Sequence, residues 1–480
     1  MLCIAAPLVI SSLAAIIQAA DTGHGARIAR ALAAVPAAVV IRGEPPVRTT
    51  LDERMRRYGV PGTSIAVAVG GRIVWAAGFG VKAADESDRV TTETLFQAAS
   101  ISKPVAATAM LRLVEQGVLD LDADVNRYLR TWKVPANGFT TLAPVTLRRI
   151  VSHSAGLTVS GFPGYAREDS LPTLPQILSG TRPANTGPIQ ADTIPGAIER
   201  YSGGGTTVMQ LLLEDVTGRA FPDVLQELVL VPAGMTRSAY TQPLPAARHN
   251  EAATGHFPTG QPRPTRWHTY PELAAAGLWT TPSDLLRWAD AITASWQGEP
   301  GSLLSQATAR AMLTRVNNSF GLGPGLDGEG DALRFGHGGS NAGFRCVVWY
   351  FPALGAGVAV MTNGDAGGLV IEGVLRALAR EYGWPAFQPR EVTAATLDQA
   401  SLSSVAGEYG GGGRPRLTVA IENGRAYAEA PGILPREVLV PLSPTTFVGL
   451  ETGVEIRFRL ESGRAEAVSL AGRPELVRSR

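Results

Sequence analysis

Residues 64–69 and 73–81 are two apolar, β-branched runs separated by little more than Gly70-Gly71. Such a glycine pair accepts the positive φ values of a tight hairpin, so the pattern predicts two antiparallel strands. From Ser100 onward the period changes. Val105, Ala106, Ala109, Met110, Leu113 and Val114 recur three and four apart, Pro104 fits only a first turn and Gly117 supplies a stop, which predicts one amphipathic helix over residues 100–115. Further helices are expected at 147–152, at 206–216 ahead of Gly218, and from Pro282, where Thr281 and Asp284 have the spacing of a capping box. Strand character returns at 333–335, 344–351 and 357–362, followed by a helix at 369–382. Strands therefore flank a long helical insertion, as in an α/β fold whose sheet draws on both ends of one segment.

The same pattern divides the chain. Residues 1–20 carry no charge and read as an export signal or N-terminal anchor, so the protein is expected in the periplasm or outside the cell, or held at the membrane by that segment. Residues 21–48, rich in Ala, Pro and Arg, read as a spacer. Thr50, with Asp52 and Glu53 behind it, caps the first helix of a domain spanning 49–384. Trp384-Pro385 opens a second linker, 385–401. Beyond it, alternating stretches at 417–421, 426–429 and 455–460, broken by Gly and Pro, predict a small all-β barrel over 402–480.

Composition narrows the function. With 43 Lys+Arg against 42 Asp+Glu and 18% charged residues, the chain offers no basic field for a phosphate backbone, which argues against nucleic acid as a partner. Two cysteines, Cys3 and Cys346, provide neither a disulfide framework nor a metal set, and no metal or organic cofactor is expected. Lysine occurs only at 82, 103 and 133. Arginine stays protonated at any pH an enzyme meets, so amine-based proton chemistry must come from one of these three. Lys82 and Lys133 sit in polar loop contexts. Lys103 does not.

Ser100-Ile101-Ser102-Lys103 puts a hydroxyl and an amine one turn apart at a helix start. A serine needs a base to become a nucleophile, and a desolvated amine can be one. Tyr201-Ser202-Gly203-Gly204-Gly205 precedes the helix near Thr206, and its glycines suit a close approach of backbone to a pocket. Tyr201 would shuttle a proton if Lys103 lay close enough to lower its pKa. Phe335-Gly336-His337-Gly338-Gly339-Ser340 ends a strand, where glycines would clear room for a ligand and a backbone N–H would pair with that of Ser100 as an oxyanion hole.

Ser-x-x-Lys, Tyr-Ser-Gly and His-Gly-Gly, in this order, resemble the serine hydrolase family of class C beta-lactamases, D-alanyl-D-alanine carboxypeptidases, D-aminopeptidases and related esterases. Tyr58-Gly59-Val60-Pro61-Gly62 and Ser152-His153-Ser154-Ala155-Gly156-Leu157 reinforce the resemblance, and the tail from Leu402 resembles the lipocalin-like domain of some members. The resemblance implies an antiparallel sheet flanked by helices, with Ser100 as acylated nucleophile, Lys103 as its base partner and Tyr201 as proton relay. It implies the backbone N–H groups of Ser100 and Ser340 as oxyanion hole, and His337, Gly338 and Gly339 as substrate-binding positions. It leaves His153 structural. Two departures bear on substrate: Gly203 stands where beta-lactamases carry Asn, and His337-Gly338 where they carry Lys-Thr. Peptidase or esterase action on a small ester, amide or D-amino-acid peptide therefore ranks above beta-lactamase or carboxypeptidase activity. A non-catalytic binder of cell-wall fragments is the reading from another class. Because His337 replaces a fixed charge, activity is expected to respond to pH in the histidine range. Arg345 reads as a surface arginine or a ligand for a substrate carboxylate.

Overall fold

The computed structural model describes residues 22–410, 416–431, 434–470 and 474–479. The apolar run at 1–20 lies outside the described residues. Strands β1 (Gly62–Ala68) and β2 (Ile73–Gly80) form the expected hairpin, with Gly70 and Gly71 at φ 60° and 72°. The strands after the insertion are β3 (Gly325–Asp327), β4 (Arg334–Asn341), β5 (Phe344–Phe351) and β6 (Ala356–Thr362). They complete a six-stranded sheet in the order β2-β1-β6-β5-β4-β3, antiparallel at every pairing. Alternation along β1 feeds two cores. Ile65 and Val67 face one side of the sheet, Ala66 and Ala68 the other.

Helices cover both faces: α1 (Thr22–Leu32), α2 (Leu51–Arg57), α3 (Ser102–Glu115), α4 (Gly203–Thr217), the single turn α5 (Leu273–Ala276), α6 (Pro282–Gln297) and α7 (Gly367–Tyr382). α1, α2 and α7 pack on the Ile65 side, and the helical insertion packs on the other. Thr50 closes a full capping box with Glu53 at the start of α2. At α6 only half of the expected box forms. Thr281 accepts from the Asp284 N–H at 3.3 Å, but the Asp284 carboxylate is taken by the Arg237 N–H at 2.9 Å and the Ser238 hydroxyl at 2.7 Å.

Both segments expected as linkers carry secondary structure among their described residues. Within 21–48, α1 buries Ile28 and Leu32 and lies along α7, with the Arg27 guanidinium 4.4 Å above the Tyr382 ring. The strand Val39–Ile41 then pairs in parallel with Arg390–Val392, from the other supposed linker. Val39 and Val392 pack with Val440 and Val448 of the C-terminal domain. Strands of three residues, paired across most of the chain, leave too short a period to be read locally.

The C-terminal domain pairs eight strands in sequence order, from Gly407–Gly410 to Leu476–Val477, and a bridge between Tyr409 and Arg478 joins its two ends. Tyr409, Leu417, Phe447, Ile456 and Phe458 fill its interior. It is fastened to the hydrolase-like domain by an ion pair. The Arg54 guanidinium on α2 donates to Glu451 at 2.7 Å, with side chains only 2% and 5% exposed. Arg54→Met would leave the buried Glu451 carboxylate with only the longer Arg57 contact, at 3.5 Å, so a loss of about 1–3 kcal/mol is expected in urea unfolding. A loss below about 1 kcal/mol, as for a surface pair, would contradict this picture.

Candidate active site

A 3₁₀ turn, Ala99–Ile101, runs straight into α3, so the expected helix begins as a tighter coil at Ser100. Ala99 has φ 49°, a left-handed conformation that is strained for a residue with a Cβ, and it directly precedes the serine. One turn on, the Lys103 Nζ donates to Ser100 Oγ at 3.0 Å and to the Ala275 carbonyl of α5 at 2.8 Å. Among the described residues no carboxylate pairs with this ammonium. Burial alone lowers its pKa from 10.5 to about 7. Near neutrality a large fraction of Lys103 is thus a free amine beside a hydroxyl. Lys82 and Lys133 lie on loops as expected, Lys82 against Asp88 and the Asn250 carbonyl, Lys133 on the Asn126 carbonyl.

Tyr201 joins this pair. The Lys103 ammonium lies 5.0 Å from the centroid of its ring, and the Ser100 hydroxyl pulls its pKa downward. Burial outweighs that and raises the phenol above its ordinary range, contrary to the lowering expected from a nearby cation. Tyr201 is therefore a neutral donor in the free protein. Its buried hydroxyl faces Ser100 without closing a full hydrogen bond to it. The ring sits in an aromatic box: His153 at 4.2 Å between centroids, His337 at 5.8 Å and Phe320 at 6.1 Å. Phe320 carries no motif, and nothing in its local sequence marks it.

The glycines after Tyr201 serve packing within the protein. The N–H groups of Gly203 and Gly204 donate to the Ser160 and Val159 carbonyls at 3.1 and 2.9 Å, and Gly205 N–H to the Ser202 cap at 2.9 Å. A Cβ on Gly203 would stand 3.1 Å from the Phe162 ring. An asparagine there would require the Phe162 ring and the Ser160 carbonyl to give way by a few tenths of an ångström.

His337, on β4, is buried, and its Nδ1 lies 2.5 Å from the Gly338 carbonyl. Facing a carbonyl, Nδ1 must donate, which leaves Nε2 as a lone-pair acceptor, buried and unpartnered. Burial first, then the Lys103 charge, lower its pKa to about 4. The expected histidine-range response therefore does not belong to His337; of the motif residues, the one brought near 7 is Lys103. Beside it Gly338 and Ser340 are exposed, while a Cβ on Gly339 would come within 2.2 Å of the Ala98 carbonyl and 2.4 Å of Cys346 Sγ. The space Gly339 clears is filled by the turn that carries Ser100, not left for a ligand. β3 pairs only with residues 334–336 of β4, so the stretch from His337 to Asn341 has an open edge beside Ser100. Arg345 turns elsewhere, onto Asp365 at 3.1 Å and the Asn341 carbonyl at 2.8 Å.

Residues 47–380 match the family model described as beta-lactamase. The chain belongs to the beta-lactamase family. Penicillin-binding protein 4 of Amycolatopsis lactamdurans is 26% identical over 370 residues, 72% of this chain and 94% of that protein. In three dimensions the chain resembles the octameric penicillin-binding protein homologue from Pyrococcus abyssi, with a TM-score of 0.60, 24% identity, and 89% and 98% of the two chains covered. It also resembles the D-amino acid amidase of Ochrobactrum anthropi SV3, with a TM-score of 0.58 at 20% identity over 75% of this chain and all of that one. At these identities the two structures speak for a shared fold.

One buried acid near the site escaped sequence reasoning. Glu272, just before α5, is fully buried, and neither carboxylate oxygen has a side-chain or backbone partner on another of the described residues. Burial raises its pKa from 4.5 to about 7. A folded-state pKa above the unfolded one means a stabilisation that is complete below about pH 4.5 and lost as pH rises through 7. Glu272→Gln, which has no proton to lose, is expected to exceed the wild type at pH 8.5 by up to about 3 kcal/mol, with the gap closing at pH 4.5. Urea unfolding at the two pH values reads it; a pH-independent difference would refute the shift. Among the described residues no His, Cys, Asp and Glu cluster can hold a metal ion, and no helix is long and apolar enough to cross a membrane.

Proposed function

We propose that the protein is an acyl-serine hydrolase of small esters or amides, including D-amino-acid amides and peptides, which works outside the cytoplasm. The observation that carries this reading is the Lys103 amine, held at a pKa of about 7 and 3.0 Å from Ser100 Oγ. The neutral amine takes the Ser100 proton as Oγ bonds to the substrate carbonyl carbon. Negative charge on the carbonyl oxygen is met by the Ser100 N–H, which has no acceptor in its own first turn, and by the Ser340 N–H on the open edge of β4. Tyr201, a neutral phenol, passes a proton to the leaving group as the C–O or C–N bond breaks. Water then gives up a proton to the same pair and attacks the acyl carbon, and the C–Oγ bond breaks as the proton returns to Ser100.

His337 supports the ranking among substrates. Its Nε2 offers an acceptor, which suits an N–H or O–H of the substrate and offers a carboxylate no charge. Gly203 carries no amide to grip an acylamino group. Both features favour amides and esters over β-lactams. The test is a panel of short acyl esters, D-alanine amides and a chromogenic cephalosporin. Turnover of esters or amides at least about tenfold above the cephalosporin, by kcat/KM, is expected from one or two lost polar contacts. A cephalosporin preference would restore the beta-lactamase reading. Thermal protection by ligands without any turnover would leave a binder.

A further inference from the structure

We propose that Gln97 and Asn341 are positioning residues of this site, a buried amide brace that holds three segments in mutual register; the inference rests on the acyl-serine reading. The Asn341 Nδ2 donates to the Gln97 Oε1 at 2.8 Å and to the Ala276 carbonyl at 3.1 Å. The Gln97 Nε2 donates in turn to the His268 carbonyl at 2.7 Å. Gln97 is 0% and Asn341 4% exposed, so these bonds are shielded from water.

Each braced segment supplies one element of the site. Gln97 ends the short strand Phe96–Gln97, three residues before Ser100. Asn341 follows Ser340 at the end of β4. Ala276 follows Ala275, whose carbonyl holds Lys103 Nζ. Asn341 spends both amide hydrogens on the other two segments, so a shift of any one of them breaks a buried bond. A second contact points the same way: Cys346 on β5 donates from Sγ to the Ala98 carbonyl at 3.0 Å, and Gly339 presses on that carbonyl from β4. The turn bearing the strained Ala99 is thereby gripped by side chain and backbone together. A chain of such contacts sets two distances that the chemistry depends on: between the Ser100 and Ser340 N–H groups, and between Lys103 and its carbonyl. Displacements of an ångström in such geometry cost about 100-fold in rate.

Gln97→Met keeps length and burial but removes both amide bonds, and Asn341→Ala removes the hub. Both are expected to lower kcat about tenfold or more while KM stays within about threefold. Both should also move the acid limb of the pH profile, because the Ala275 carbonyl is then free to leave Lys103. The ionisable groups facing Lys103 are Ser100, Tyr201, His153 and His337, and Glu272 opens the turn that carries its carbonyl partner; none of them is altered. The double variant should lose no more than the worse single one, since both substitutions break one unit. Asn341→Ser, which retains a donor, stands in should the alanine variant fail to fold. Variants that melt lower but keep kcat and the acid limb would show a merely structural brace and overturn the proposal, as would losses that multiply in the double variant. Failure of the acyl-serine reading itself would show differently, as a wild type that a fluorophosphonate does not label.

Discussion

Ser100→Ala is expected to abolish hydrolysis, with a fall of about 10⁴–10⁶-fold in kcat. The size follows from what remains. Lys103, Tyr201 and the open edge of β4 would still bind and polarise a substrate, but no atom would be left to take the acyl group. Intact-mass measurement after fluorophosphonate or penicillin treatment separates this from simple loss of binding: wild type should gain one adduct and the variant none. Equal adducts on both would assign the nucleophile elsewhere.

Lys103→Arg tests the amine in isolation, because it preserves charge and reach while forbidding loss of the proton. Acylation should drop about 10²–10⁴-fold, the usual worth of a general base. The wild-type pH profile carries the same information. With the folded pKa brought down from 10.5 to about 7, the free amine accumulates as pH rises, so kcat/KM should climb through about pH 7 and level off above it. His337 contributes nothing to this limb, since its pKa of about 4 keeps it neutral throughout. A flat profile from pH 5.5 to 8.5 would refute Lys103 as base, and so would an arginine variant with more than a tenth of wild-type acylation.

How far the sequence carried depended on the range of each interaction. Ser100 and Lys103 are one turn apart on one helix, so their meeting is a local property, as is the hairpin at Gly70-Gly71. The antiparallel sheet and the C-terminal β-domain were legible from period and family likeness together. Quantities set by enclosure were not. The direction of the Tyr201 shift, the low pKa of His337 and the unpartnered Glu272 all depend on how much protein surrounds a group, which neighbouring residues do not announce. Backbone partners are equally silent: the carbonyls of Ala275 and Ala276 act through atoms that every residue possesses. At Gly203, Gly204 and Gly339 a side chain would meet the protein itself, whereas Gly338 stays exposed, a difference that the glycine pattern does not reveal.

The pairing of Val39–Ile41 with Arg390–Val392 has a kinetic consequence. It joins residues from opposite ends of the hydrolase-like domain, so its strands cannot meet until the intervening chain has collapsed. The seat formed by Val39 and Val392 for Val440 and Val448 does not exist before that moment. Docking of the β-domain is therefore expected late in folding, and a chain emerging from synthesis must keep the apolar faces of that seam apart until Val440 and Val448 have been made.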